Sequence, residues 1–283
     1  MPRPFPPSWA CAWGDDRYGL WADAEVVSGA HVVLQRLRWI ESGHFMMGSP
    51  GTEADRFDDE GPQHSVTISD GFWLADTSCT QGLWQAVMGD NPSHFDAGNQ
   101  GGPDHPVERV SWDMIQPFLQ KLEALLPGCR VSLPTEAEWE YACRAGSNMP
   151  FSFGETITTD QVNYDGNYPY GECEEGEYRE HTVTVKKLPA NDWGLYQMHG
   201  NVLEWCADNP REYSEDMVVD PGLAVALTPE LGDVAARALR GGCWINYAQF
   251  ARSAHRFHGQ PGWRGDDAGF RFALRFSSHA SGV

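Results

Sequence analysis

Long apolar runs are missing from this 283-residue chain. No stretch approaches the roughly 18 consecutive apolar residues that a membrane-spanning helix needs. Lysine is scarce: only Lys121, Lys186 and Lys187 stand among 20 basic side chains. Forty acidic residues leave a formal charge of −20, which excludes nucleic acid and anionic membrane as default partners. The N-terminus, MPRPFPPSWACAW, lacks the apolar core of a secretory signal. The seven cysteines form no C-x-x-C pair, so zinc knuckles and thioredoxin-like redox motifs lose their usual spacing. An odd cysteine count without a signal segment reads as reduced thiols, most of them small buried residues, in a cytoplasmic protein.

What is present points to a globular, loop-rich protein. Twelve Trp, 13 Phe and 9 Tyr suffice for a sizeable core and exclude disorder. Thirty Gly and 19 Pro argue against a helix bundle. With no internal repeat and no low-complexity linker, one compact α+β domain is expected over 31–276. Residues 1–30 read as an N-terminal extension packed on it, with one strand and with Trp9, Trp13, Tyr18 and Trp21 as anchors; 277–283 reads as a tail.

Local patterns place some elements. VVLQRLRWI (32–40) reads as a strand, and Gly48 in HFMMGSP marks a turn before the acidic loop 51–63. HSVTISDGFWLA (64–75) alternates like an antiparallel strand pair. Helices are expected over 80–89, over 111–128 with Ser111 as N-cap, and over 133–146, where Thr135 and Glu138 have capping-box spacing. Pro117 should kink the second helix or shift its start. Beyond Phe151, short apolar pieces between Gly, Pro, Asn and Asp indicate short strands and ordered loops.

From Ala236 onward lie Arg237, Arg240, Arg252, Arg256, Arg264, Arg271 and Arg275, with only Asp266 and Asp267 as acids. Such forks hold irregular loops by bonding carbonyls and carboxylates, and internal pairing is expected here rather than an anion site.

Several strings taken together resemble one family: FMMGSP (45–50), GPQHSVTI (61–68), VSW (110–112), LPTEAEWEYACRAG (133–146), GLYQMHGNVLEW (194–205), RGGCW (240–244) and GFRFAL (269–274). In this order they resemble the formylglycine-generating enzyme (sulfatase-modifying factor) domain over about residues 30–276. The resemblance implies a single elaborated C-type-lectin-like fold with few helices, short strands and long ordered loops. That family includes copper-dependent oxidases, iron-dependent sulfoxide synthases and binding proteins without known chemistry.

In the oxidases, two cysteines five residues apart follow the RGG motif and serve the metal and the substrate thiol, as soft Cu(I) requires. Counted from Arg240, those positions fall here on Asn246 and Ala251, so the resemblance implies no oxidase activity. Cys243 stands where the family has Ser. The sulfoxide synthases need an iron-binding His cluster; the ten His are scattered, and only His255 and His258 lie three apart. A metal-dependent oxidase of either type, drawing on Cys243 with His255 or His258, is the alternative function. No cofactor is required by the favoured one. Calcium is the candidate ion, because the family's G-N-x-x-E-W site maps to Gln197, Gly200, Val202 and Glu204. Glu204 could equally anchor its loop through backbone N–H groups or an Arg.

The segment 244–271, WINYAQFARSAHRFHGQPGWRGDDAGFR, resembles the variable region of proteins diversified by retroelements. Scaffold letters stand at Arg240, Gly241, Gly242, Trp244, Ala248, Gln249, Arg252, Ser253, Ala254, Arg256, Gly269, Phe270 and Arg271. Between them lie Ile245, Asn246, Tyr247, Phe250, His255, Phe257, His258, Gly259, Gly262, Trp263, Gly265, Asp266, Asp267 and Ala268, the candidate ligand-binding set. Large aromatics beside small and polar residues are the chemistry of recognition loops, and neither core period is present. The implied function is non-catalytic display of a diversified recognition surface, for a protein ligand rather than a small molecule.

Overall fold

The computed structural model describes residues 2, 4–28, 31–227 and 236–276. The tail assigned to 277–283 lies outside the described residues. In chain order the first half contains β1 (Ala10–Asp16), β2 (Gly19–Ser28), β3 (His31–Ile40), β4 (Gly43–Met47), β5 (His64–Ile68), β6 (Phe72–Ala75), α1 (Gln81–Met88), α2 (Trp112–Leu125), β7 (Cys129–Ser132) and α3 (Glu136–Arg144). The second half contains β8 (Leu203–Trp205), β9 (Val218–Val219), α4 (Leu223–Leu227), β10 (Arg237–Arg240), β11 (Phe257–Gly259), β12 (Ala268–Gly269) and β13 (Ala273–Phe276).

An antiparallel six-stranded sheet runs in the order β1-β2-β3-β6-β13-β7, with smaller sheets β11-β10-β8-β12 and β4-β5-β9 beside it. Residues 10–28 therefore supply two strands of the main sheet, not one strand of an extension. Trp9 packs edge-on to Trp73 at 5.6 Å, but Trp13 points to solvent and anchors nothing. β5 and β6 both form, yet they do not pair with each other: β5 joins β4, and β6 joins β3 and β13. Strand alternation reports which face is buried, not which neighbour is chosen.

The helices follow their local signals. Thr80 caps α1 by accepting from Leu83 N at 3.1 Å, and Gly89 ends it in the left-handed region at φ 92°. Ser111 caps α2 through Met114 N at 3.2 Å, so Pro117 does not shift its start. Pro117 and Asp113, whose carbonyl loses its helical donor, both face solvent, where water can replace that bond. α2 buries Trp112, Ile115, Phe118, Leu119 and Leu122 against the main sheet. There Trp84 stacks on Phe118 at 5.2 Å, and Phe270 meets Phe118 edge-on at 5.2 Å. Thr135 and Glu138 form the expected capping box of α3. No helix of the described residues is long and apolar enough to cross a membrane.

Every residue of α3 is buried, including Glu136, Glu138 and Glu140. Buried carboxylates need cations, and the C-terminal Arg residues supply them. Arg256 forks onto Glu136 at 2.8 and 3.0 Å, Arg240 pairs with Glu140, and Arg275 pairs with Glu138. Internal pairing of the Arg-rich segment, expected from the sequence, thus fixes β10, β13 and the chain between them onto α3.

Candidate functional site

The segment 244–271 leaves the core through two consecutive left-handed glycines, Gly241 at φ 97° and Gly242 at φ 69°. A Cβ on Gly242 would lie 2.8 Å from the Phe250 carbonyl oxygen, so the chain can fold back this tightly only without a side chain. The Asn246 side chain then accepts from Cys243 N at 3.1 Å and closes the turn. One 3₁₀ turn, Ala248–Ala251, follows.

Arg252 is fully buried and spends all its donors on ordering this region. Nε donates to the Gln249 carbonyl at 3.0 Å, Nη1 to Glu53 at 2.6 Å and Glu60 at 2.7 Å, and Nη2 to Glu60 at 2.6 Å and the Asp55 carbonyl at 2.9 Å. Arg256 adds a bond to the Asp59 carbonyl at 2.8 Å. The acidic loop 51–63 is therefore pinned against the C-terminal segment. Burial pushes the Glu60 carboxyl up, but the Arg252 fork outweighs it and holds that group below its ordinary range.

A second loop is stitched on from the other side. Asp165 N donates to the Asn246 carbonyl at 2.9 Å, and Ala248 N donates to the Tyr168 carbonyl at 3.1 Å. Tyr170 Oη donates to the Ala54 carbonyl at 2.7 Å and ties this loop to loop 51–63. Tyr168 stacks on Tyr247 with ring centres 3.8 Å apart, Tyr247 meets Phe250 at 5.9 Å, and Phe57 stacks on Phe250 at 5.8 Å. Tyr168, Tyr247 and Phe57 remain 49%, 40% and 38% exposed. Tyr168 and Phe57 lie far from 244–271 in sequence and carry no periodic signal, so sequence reasoning missed them.

The candidate set divides by exposure. Ile245, Tyr247, Phe257, His258, Gly262 and Trp263 are exposed, and Asn246, Phe250, Gly259, Gly265, Asp266 and Asp267 are half-buried. His255 and Ala268 are buried and do not belong to a surface set. Ala268 sits in β12 beside Leu203, inside the core. The His255 ring lies edge-on to Phe57 at 5.3 Å and Phe250 at 5.2 Å, and burial lowers its pKa to about 3. Phe257 and His258 border an open cleft of about 490 Å³, lined also by Asp58, Asp59, Arg211, Glu212 and Tyr213.

Metal chemistry finds little support in the geometry. Glu204, the carboxylate of the calcium set, is committed elsewhere: it takes Arg271 at 2.6 and 2.9 Å, Ser78 Oγ at 2.7 Å and Trp139 Nε1 at 2.8 Å. Its anchoring role through an Arg is the alternative realised. Gln197 keeps a buried, unpartnered Oε1, and Gly200 and Val202 are buried nearby in sequence, but with Glu204 engaged this set does not fit calcium. Among the described residues no group of three or more His, Cys, Asp and Glu could hold a metal ion. His255 faces the Phe57–Phe250 cluster while His258 is exposed at the cleft.

The oxidase positions are equally occupied by structure. Asn246 closes its own turn, and Ala251 is fully buried, its carbonyl accepting from His199 Nδ1 at 2.7 Å. Cys243 is fully buried with Asp267 Oδ2 at 3.7 Å; burial and that carboxylate push its pKa well up, so the thiol stays protonated.

The sequence pattern of the sulfatase-modifying factor enzyme 1-like domain matches residues 24–276. The chain is 33% identical over 235 residues to the formylglycine-generating enzyme of Streptomyces coelicolor, covering 78% of this chain and 70% of that protein. It is 30% identical over 264 residues to the serine/threonine-protein kinase Pkn1 of Chlamydia trachomatis, but spans only 38% of that protein. Among solved structures, Treponema denticola variable protein 1 superposes with a TM-score of 0.70 at 28% identity, covering 89% of this chain and 99% of that one. The α+β, C-type-lectin-like architecture expected from the sequence agrees with these likenesses.

Proposed function

The chain belongs to the sulfatase-modifying factor enzyme 1-like family, and we propose that within it this chain is a non-catalytic recognition protein whose 244–271 segment displays a retroelement-diversified surface. The observation that carries this is the contrast within one segment. Trp244, Arg252, Arg256, Phe270 and Arg271 are buried and bonded, while Ile245, Tyr247, Phe257, His258 and Trp263 stand exposed between them. Such a scaffold holds its backbone while its exposed side chains change. The likeness to Treponema denticola variable protein 1 supports the same assignment. The ligand is a protein, because the aromatic residues form an open face rather than an enclosed pocket. Buried reduced thiols at Cys79, Cys129, Cys143, Cys206 and Cys243 support a cytoplasmic site of action.

The test is a library randomised at Ile245, Tyr247, Phe257, His258 and Gly262. Most members are expected to melt within a few degrees of the parent, and selection against an unrelated folded protein should yield binders. A library that mostly fails to fold would overturn the assignment.

A further inference from the structure

The sheet β11-β10-β8-β12 ends on one side in a strand of the candidate recognition segment. β11 pairs with β10 through Leu239↔Phe257, Ala238↔His258 and Arg237↔Gly259. Ala238 spends both backbone groups on its other side: its carbonyl accepts from Cys206 N at 2.9 Å, and its N–H donates to the Asp208 carbonyl at 3.0 Å. Strand alternation therefore assigns the bonds between β10 and β11 to Phe257 and Gly259, and turns the N–H and C=O of His258 outward. Neither of these two groups has a partner among the described residues, and Phe257 and His258 are exposed. Free strand edges are usually blunted. β1, at the edge of the main sheet, carries a register shift between Ala10 and Ala12 and ends in Asp15 and Asp16. β12, at the opposite edge from β11, is buried. β11 is in regular register, holds no acidic residue and borders the open cleft of about 490 Å³.

Resting on the recognition role proposed above, we propose that the partner presents an extended peptide segment that adds a strand to β11, one of its residues exchanging both main-chain hydrogen bonds with His258. An unpaired N–H and C=O on one residue are complementary to the same two groups on an antiparallel strand, and this names the chemistry of the occupant. A second copy of this chain could offer its own β11, but two bodies of charge −20 repel each other. Main-chain pairing also suits a position whose side chain is proposed to vary. The N–H and C=O of residue 258 persist whichever side chain stands there. The pair thus supplies anchor and register, while residues 257 and 258 and the cleft beside them read the flanking side chains of the partner.

The probe is a phage-displayed library of random linear peptides panned on the full chain, followed by synthetic copies of the enriched peptides. H258S removes the imidazole and keeps both backbone groups. H258P removes the outward N–H and leaves the bonds of Phe257 and Gly259 to β10, as proline at a strand edge can. The expected result is binding to H258S within about threefold of the parent and to H258P at least about tenfold weaker, the scale of one hydrogen-bonding group left unpaired. N-methylation of one residue of the peptide should weaken binding by about the same factor, and that measurement needs no variant to fold. Equal loss from H258S and H258P, or a peptide indifferent to N-methylation at every position, would overturn strand addition and leave recognition by side chains standing. A parent dimer in sedimentation that H258P makes monomeric would give the edge to a second copy and overturn the proposal likewise. Failure to enrich any peptide would overturn strand addition, and the randomised library described above then tests the recognition role alone. Peptides indifferent to H258P, Y247S and F257S alike would overturn both. Thermal melts of each variant confirm that lost binding is not lost folding.

Discussion

Arg252 and Glu60 meet as a two-toothed fork, Nη1 to Oε2 at 2.7 Å and Nη2 to Oε1 at 2.6 Å, across 192 residues of sequence. One contact thereby joins the C-terminal segment to the acidic loop and positions Phe57 against Phe250. The proposed recognition face is thus held in shape by a fully buried residue beneath it.

Replacing Arg252 with Ala strands Glu53 and Glu60 in the interior without a cation. The expected cost is about 3–5 kcal/mol, the range for breaking a buried pair from one side. R252K keeps the charge but loses the planar fork, and should fall between. Urea melts measure both. A loss under about 1 kcal/mol for Arg252→Ala would show that loop 51–63 is held by something else.

His255 supplies a pH test. Its pKa is depressed from 6.5 to about 3 by burial, so the folded state keeps it neutral while the unfolded chain protonates it below about pH 6.5. The stability it confers is present above pH 6.5 and is lost as pH falls toward 3. Each pH unit in that window is worth about 1.4 kcal/mol at most. The orphaned buried Nδ1 brings no compensating bond. H255F should therefore match the parent or exceed it at pH 8 and lose less stability between pH 6.5 and 4. Parallel stability curves for the two proteins would place the ring in water.

The exposed and buried members of 244–271 should separate in stability. I245S and Y247S are expected within about 0.5 kcal/mol of the parent, as surface changes usually are. F250S should cost more, because that half-buried ring lies between Phe57 and His255. Trp263, packed edge-on to Trp205 at 6.0 Å, is likewise only partly free. Trp244→Ala and Phe270→Ala should each cost about 3–5 kcal/mol. Equal losses across both groups, read from melting curves, would erase the division between scaffold and display.

The features legible in the sequence were those decided locally or by a string of motifs. Thr135 and Glu138 announce α3 because a capping box needs only four residues. The Arg excess after Ala236 announces internal pairing because an Arg cannot be buried alone. Partner choice was not legible: nothing in 64–75 says that β5 and β6 belong to different sheets. Exposure within 244–271 was legible for Tyr247 and Phe257 but not for His255 or Ala268, since an irregular segment has no period to separate its faces. Tyr168 and Phe57 reach the face only through tertiary contacts, and no local pattern marks them.

The proposed recognition role carries a sharp functional prediction: the chain should form no formylglycine. That chemistry takes a thiolate pair, one to hold copper and one to engage the substrate thiol. The matching positions hold Asn246, whose Oδ1 accepts from Cys243 N at 3.1 Å, and Ala251, which is fully buried. Cys243 is a single thiol, buried beside Asp267 and kept protonated there. Cys143 is also fully buried, 3.7 Å from His199 Nε2, and burial raises its pKa to about 12. Neither thiol stands at a matching position, and misplacing a catalytic group by roughly 1 Å already costs about 100-fold in rate. Incubation with copper, oxygen and a peptide carrying C-x-P-x-R should give no aldehyde above the copper-only control. N246C/A251C should not restore activity unless the fold also admits the substrate, because Ala251 has no exposed surface. Aldehyde formed by the unmodified chain would overturn the recognition role and place the chemistry at Cys243.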